Sequence, residues 1–413
     1  MPIRYLNRSR GSLGSSFYDF TLGTLPAGVS FAAASARWRW NAFGVLVQEA
    51  VDVPRFQYDP ATLTPRGLLI EDAATNLYLR SAELDNAAWT KTRASVTANA
   101  ATAPDGTTAM DLLVEDGTAG ATHQVTSAAN QNFTSGTPAI VAFFAKALTR
   151  NWVNVAFPPA AFSGGPLANF NVSTGALGTV SAGVTAFIFP VGGGVYLCVA
   201  IATPTSTIAS GMVFRMASAD NTVVYNGDGT SGLYLWGLHI ETAGVGALSS
   251  YIPTTSSAVT RAADIALVTN PSGLADQVKV IKFRTPRRIS GGAVNVAWQR
   301  DDGTTGNREL VRYGSDGKIH VIASVGGVDQ CDLDMGAVAA DTDVTIAARF
   351  TAGAFAASLN GGAIVTYGGG SRPSGLTTER LGKGVSGFAL NSTMRSLWSL
   401  PTASNTDLPL LAA

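Results

Sequence analysis

Charged side chains are scarce in this sequence. Asp, Glu, Lys and Arg make up 14% of its 413 residues, with 28 acidic against 28 basic, and the formal net charge is zero. A nucleic-acid binder needs an excess of Lys and Arg to neutralise phosphates, so that class is excluded. Cysteine is nearly absent. Cys198 and Cys331 lie far apart, no disulfide framework exists, and Cys198 in the run Val195-Tyr196-Leu197-Cys198-Val199 reads as a buried free thiol. Uninterrupted apolar runs are missing too. The stretch 182–202 comes nearest, but Pro190 and Gly192-Gly193-Gly194 cut it, so two strands and a glycine turn are expected in place of a membrane insertion. The basic lead MPIRYLNRSRGSLGSS has no apolar centre and does not read as a signal peptide. His123, His239 and His320 are scattered, and no two sit at metal-ligand spacing. Gly-x-Ser-x-Gly elbows, Walker A loops, dinucleotide fingerprints, heptads and fixed-period repeats are likewise absent, and nothing points to a cofactor.

Small and turn-forming residues take the place of charge: Gly stands at 45, and Ala, Thr and Ser are abundant. Such a composition suits short strands and tight turns better than amphipathic helices. The expected fold class is all-β, an N-terminal β segment followed by two antiparallel β-sandwiches. The boundaries are drawn at 1–75, 76–264 and 265–413. The first falls after Arg66–Glu71, a strand-length apolar run read as the joint between modules. The last falls after Tyr251–Asp264, a connector with few bulky residues. Ala139–Lys146 is apolar on both faces and should lie centrally between covering layers. Hairpins are read at Ser173-Thr174-Gly175, the triple glycine, Asn226-Gly227-Asp228-Gly229, Ser315-Asp316-Gly317 and Asn360-Gly361. Alternation puts Val294, Val296 and Trp298 on one face, and Trp236 and Trp298 in the core. In Arg37-Trp38-Arg39-Trp40 one face carries both arginines and the other both tryptophans. An edge strand with one covered face accounts for this, and so does a cation–π docking strip.

Catalysis finds little support. Glu71-Asp72, Glu115-Asp116 and Asp301-Asp302 are adjacent acids, and neighbours on a strand point to opposite faces. Glycan hydrolysis needs two carboxyls facing each other across a bond, about 5–10 Å apart, which these pairs do not supply. A pair assembled from distant positions would reverse the reading. Sugar binding needs aromatic faces and planar polar side chains. Trp152, just after Arg150 and beside Asn151 and Asn154, has open surroundings. The polar stretch 300–308 supplies Arg300, Asp301, Asp302, Asn307 and Arg308. These six residues are the candidate glycan-binding set, although a solvated hairpin tip is the simpler account of the second group.

Residues 54–116 (PRFQYDPATL…MDLLVED), FNVSTGALG at 170–178, GDGTSGLYLWGLHIE at 227–241 and SSYIPTTSSAVTRAAD at 249–264 carry a resemblance. In this order they resemble tailed-bacteriophage fibre and spike proteins and related prophage and gene-transfer-agent structural proteins. The resemblance implies a carbohydrate-binding jelly roll at the centre. The C-terminal part, from GAFAASLNGG to GFALNSTMRSLWSLP, is similar to concanavalin-like or laminin-G-like sandwiches. In the family, Trp and Arg often occupy the places held here by Val195 and Leu197. The implied protein is a non-enzymatic virion subunit, a homotrimer, that binds host surface polysaccharide and meets other virion proteins through its N-terminal region. Two alternatives follow from the same architecture: a capsid decoration protein without glycan affinity, and a polysaccharide depolymerase.

Overall fold

The computed structural model describes residues 16–128, 131–242, 247–269, 277–288 and 293–413. Every strand pairing between its named strands is antiparallel, and the strands form two sandwiches, so the protein is all-β. No helix among the described residues is long and apolar enough to cross a membrane.

The central sandwich stacks two six-stranded sheets drawn from residues 89–241. Their facing side chains, among them Trp89, Phe143, Phe170, Phe214 and Leu235, form one core. Ala139–Ala147 lies between Val195–Ala202 and Gly232–Glu241 and is buried through its first seven residues. One face meets the partner sheet, and the other carries a second core of Ile140, Ala142, Phe144, Val199, Ile201 and Trp236. That two-sided burial is why the segment has no polar alternation. The stretch 182–202 forms the expected hairpin, Val184–Pro190 against Val195–Ala202. Gly192, Gly193 and Gly194 turn it, all three at positive φ, which side chains disfavour. Asn226–Gly229 is no hairpin: the strands either side, Val213–Ala217 and Gly232–Glu241, lie in different sheets. Its Asp228 carboxylate accepts bonds from the Thr230 and Ser231 amides and shapes a crossover.

The outer sandwich joins the two ends of the chain. One sheet holds Ser16–Asp19, Phe56–Tyr58 and Pro65–Ile70 together with Val278–Arg284, Asp343–Arg349 and Ser392–Leu400. The other holds Val29–Ala33 with Asp264–Val268, Asn295–Asp301 and strands as far as Val328–Ala337. Ser16 pairs with Ser399, and Ile70 with Ser392. The segment expected as a separate N-terminal region therefore supplies strands to the sandwich formed with 264–400. The reason is burial: Tyr18, Phe20, Phe56, Leu68 and Ile70 sit in the same core as Trp298, Ile319, Val321, Ile346 and Leu397. The central sandwich is an insertion. The chain leaves through Ala74–Asn76 and returns through Val259–Arg261, and these two strands pair side by side.

One alternation is interrupted. Pairing shifts between Val296 and Trp298, a bulge that turns Trp298 into the main core and leaves Val296 with Leu310 and Ile322 in a smaller cluster. The two do not share a face. Trp236 and Trp298 are both buried, as the periodicity implied.

Gly67 marks where the N-terminal strands meet the C-terminal one. Its φ is +100°, and a Cβ there would lie 2.1 Å from the Met394 carbonyl oxygen. Gly67→Ala is expected to lose about 1–3 kcal/mol from the backbone conformation alone, with more from the parted strands. A urea midpoint equal to that of the wild type would contradict this contact.

Candidate functional site: the cleft between the sandwiches

The hairpin Arg37–Trp40 and Leu46–Glu49 lies between the two sandwiches, and its alternation decides what each face does. Trp38 and Trp40 turn to the central sandwich, with ring centroids 6.1 Å from Tyr251 and 6.1 Å from Phe144 respectively. Arg37 turns the other way and is buried against Asp264. Arg39 holds Glu49, its Nε donating over 2.8 Å. The Arg-Trp-Arg-Trp strip is a docking surface within the chain: it seats its own second sandwich.

Beneath the hairpin lies a buried ionic network. Arg55 donates to Glu71 at 2.5 Å and to Asp264 at 2.6 Å, and Arg261 stands 3.1 Å from Glu71. The Ser250 hydroxyl donates to Glu71 over 2.8 Å. All four charged groups are almost completely enclosed. Burial pushes the Glu71 carboxyl up, but Arg261, Arg55 and Ser250 outweigh it and hold it down at about 2.

Above this network the sandwiches leave a cleft of about 320 Å³, within the size range of small-ligand sites. Its lining includes the half-buried rings of Trp38, Tyr58 and Phe189, with Trp40, Phe144 and His239 buried behind them. Arg39, Arg66, Arg284, Arg287, Asp59, Glu71 and Asp341 are the charged side chains around it. Arg66 donates to Asp59 at 2.6 Å, and Arg284 to Asp341 at 2.6 Å. The Arg287 guanidinium lies 3.9 Å from the centroid of Phe189. The Trp38 indole N–H is buried without a hydrogen-bond partner among the described residues.

The carboxylates here are poor proton donors. Burial raises Asp59, yet bonds from Arg66 and Thr62 bring it to about 2. Burial likewise raises Asp341, and Arg287 and Arg284 together hold it below its ordinary value. A glycosidase general acid needs the opposite shift, a carboxyl kept protonated near neutral pH. The arrangement is suited to recognition: ring faces, a free indole donor and a rim of ion pairs. Among the described residues no group of three His, Cys, Asp or Glu side chains is placed to hold a metal.

The six residues expected from the sequence lie elsewhere: five gather at one hairpin of the outer sandwich, and Trp152 stands apart on the central one. Trp152 is on the central sandwich, partly buried, close to Gly178 and Asp220. Arg300 and Asp301 are not loop residues. The strand runs on to Asp301, which pairs with Arg308, and both side chains are enclosed. Arg300 is engaged by Glu309, its Nε donating over 2.8 Å, and Asp301 by Arg380 at 2.8 Å. Polar composition resembled a loop because these charges neutralise one another across strands, which alternation cannot reveal. Asp302 and Asn307 bond each other at 2.8 Å within the turn, and Arg308 reaches Ser386 at 3.2 Å. The cleft residues, spread from Trp38 to Thr393, carry no spacing signal; the paired tryptophans were the one visible hint.

No family model and no curated protein matches this sequence. Among solved structures, the chain is similar to the Ruminococcus gnavus IT-sialidase CBM40 at 16% identity and a TM-score of 0.29, over 33% of this chain and 83% of that one. The same module bound to alpha2,6 sialyllactose matches at 15% identity and 0.28, with the same coverage. Domains LG4-5 of the mouse laminin alpha1 chain match at 11% identity and a TM-score of 0.23, over 66% of this chain and 85% of that one.

Proposed function

We propose that this chain is a non-catalytic glycan-binding subunit of a tailed-bacteriophage particle, a fibre or spike protein, that engages host surface polysaccharide through the cleft between its sandwiches. The observation that carries the binding reading is the cleft itself: the half-buried rings of Trp38, Tyr58 and Phe189 for the C–H faces of sugar rings, and planar polar groups at the rim for hydroxyls. The ionised state of Asp59, Glu71 and Asp341 favours binding over hydrolysis. The particle assignment rests on the ordered resemblance across residues 54–264 and on a balanced charge that suits assembly. Each site would bind weakly, and a homotrimer on a particle with many copies would raise the avidity.

A glycan array followed by calorimetric titration tests this reading. Trp38→Phe keeps a ring against Tyr251 but removes the indole donor. It is expected to weaken saccharide binding about tenfold, the worth of one well-made hydrogen bond to a ligand, at unchanged Tm. Binding that ignores Trp38→Phe, or an array with no hits, would overturn the site. Release of oligosaccharides from host polysaccharide would establish the depolymerase instead.

A further inference from the structure

We infer that the ligand of this cleft is an anionic saccharide, a sugar bearing a carboxylate or phosphate that is gripped by Arg287. This rests on the glycan-binding reading above and sharpens it. The argument starts from which donors around the cleft are already used. Arg39 is spent on Glu49, and Arg66 on Asp59. Arg284 bonds Asp341 through Nε and Asp343 through Nη1. Arg287 differs. Its Nε stands 3.2 Å from Asp341, an ion pair without a hydrogen bond, and the side chain stays about one-third exposed, which leaves its Nη groups toward the cleft. The group is nonetheless held in place, because its central carbon sits 3.9 Å over the Phe189 ring.

A guanidinium held by one edge and stacked on an aromatic face presents its remaining N–H groups as a fork. That fork matches a carboxylate or phosphate oxygen pair better than a lone hydroxyl. Asp341 does not cancel this charge, since it is shared between Arg287 and Arg284. The wider rim repeats the imbalance: Asp343 is shared by Arg66, Arg284 and Arg395. The Trp38 indole N–H, enclosed at the cleft wall and without a hydrogen-bond partner among the described residues, is also a donor. His239 Nε2 and Thr393 Oγ1, also without hydrogen-bond partners among the described residues, can donate or accept. With the donors of Arg287 and Trp38 and the local excess of guanidinium, the lining suits a ligand rich in acceptors and negative in charge.

The test is a glycan array carrying uronate-bearing, sialate-bearing, phosphate-bearing and neutral oligosaccharides, probed with the full chain, Arg287→Gln and Arg287→Lys. The strongest hits are then titrated by calorimetry in low and high salt. Binding is expected to concentrate on acidic sugars, to fall at least tenfold in Arg287→Gln, and to be only partly kept in Arg287→Lys, which retains charge without the fork. Hits on phosphate-bearing sugars alone would assign the anion as phosphate, and hits on uronates or sialates would assign it as carboxylate. Neutral sugars bound as tightly as acidic ones, and equally by Arg287→Gln, would overturn the inference and leave glycan binding standing. An array without hits would remove both. Tm of each variant serves as the folding control, and Arg287→Lys keeps the cation over Phe189 should Arg287→Gln lose stability.

Discussion

Residues 265–413 expressed alone will show no cooperative thermal transition. This is the largest effect the fold implies. The fragment contains most strands of the outer sandwich but lacks Ser16–Asp19, Val29–Ala33, Phe56–Tyr58 and Pro65–Ile70. It also loses Tyr18, Phe20, Val29, Phe56, Leu68 and Ile70 from the shared core. Burying a large apolar side chain contributes about 1.5–3 kcal/mol, so the six together are worth about 9 kcal/mol at the lower limit. That equals the entire net stability of many domains, about 5–15 kcal/mol. The edge of Ser392–Leu400 that pairs with Ser16–Asp19 and Pro65–Ile70 would also be left bare. Adding residues 16–76 as a separate peptide should restore a transition. Circular dichroism melts of the fragment with and without the peptide decide the matter, and a cooperative melt of the fragment alone would refute it. For the same reason, deletion of residues 1–50 removes sheet strands as well as any attachment segment.

The second large effect belongs to the buried ionic network. Arg55→Met leaves Glu71 and Asp264 enclosed without their shared cation, and removing one partner of such a group costs about 3–5 kcal/mol. Glu71 also sets an acid limit. Its carboxyl is held at about 2 in the folded chain against an ordinary 4.5. A depressed folded-state pKa stabilises fully above the unfolded value and stops doing so as pH falls through the folded one. Stability should therefore decline between about pH 4.5 and pH 2, and Glu71→Gln, less stable at neutral pH, should lose that part of the slope. Chemical denaturation across this range measures both. A Glu71→Gln profile parallel to the wild type would show that the acid limit lies elsewhere.

Local features of this fold were legible in the sequence, and long-range ones were not. The glycine hairpin at 192–194, the doubly buried Ala139–Ala147 and the core tryptophans each follow from spacing or turn chemistry within a few residues. The membership of Ser16–Asp19 in a sheet with Ser392–Leu400 depends on partners more than 370 positions away along the chain. No local pattern encodes such a pairing. The bulge near Ala297 breaks a period that looked regular, because one extra residue reverses which side faces inward. Arg300 and Asp301 misled for a different reason: a buried ion pair and a solvated tip have the same composition. The cleft was hidden for both reasons at once, being assembled from distant segments and lined by charges that already pair with one another.

The side-by-side ribbon through which the chain enters and leaves the central sandwich, with the Thr75 and Thr260 hydroxyls 2.8 Å apart, has a mechanical consequence. The first and last described strands belong to the outer sandwich, so tension applied between the chain ends runs through that body and bypasses the inserted one. A pull on the two ends would load the outer strands first, and the central module would stay slack until they tore.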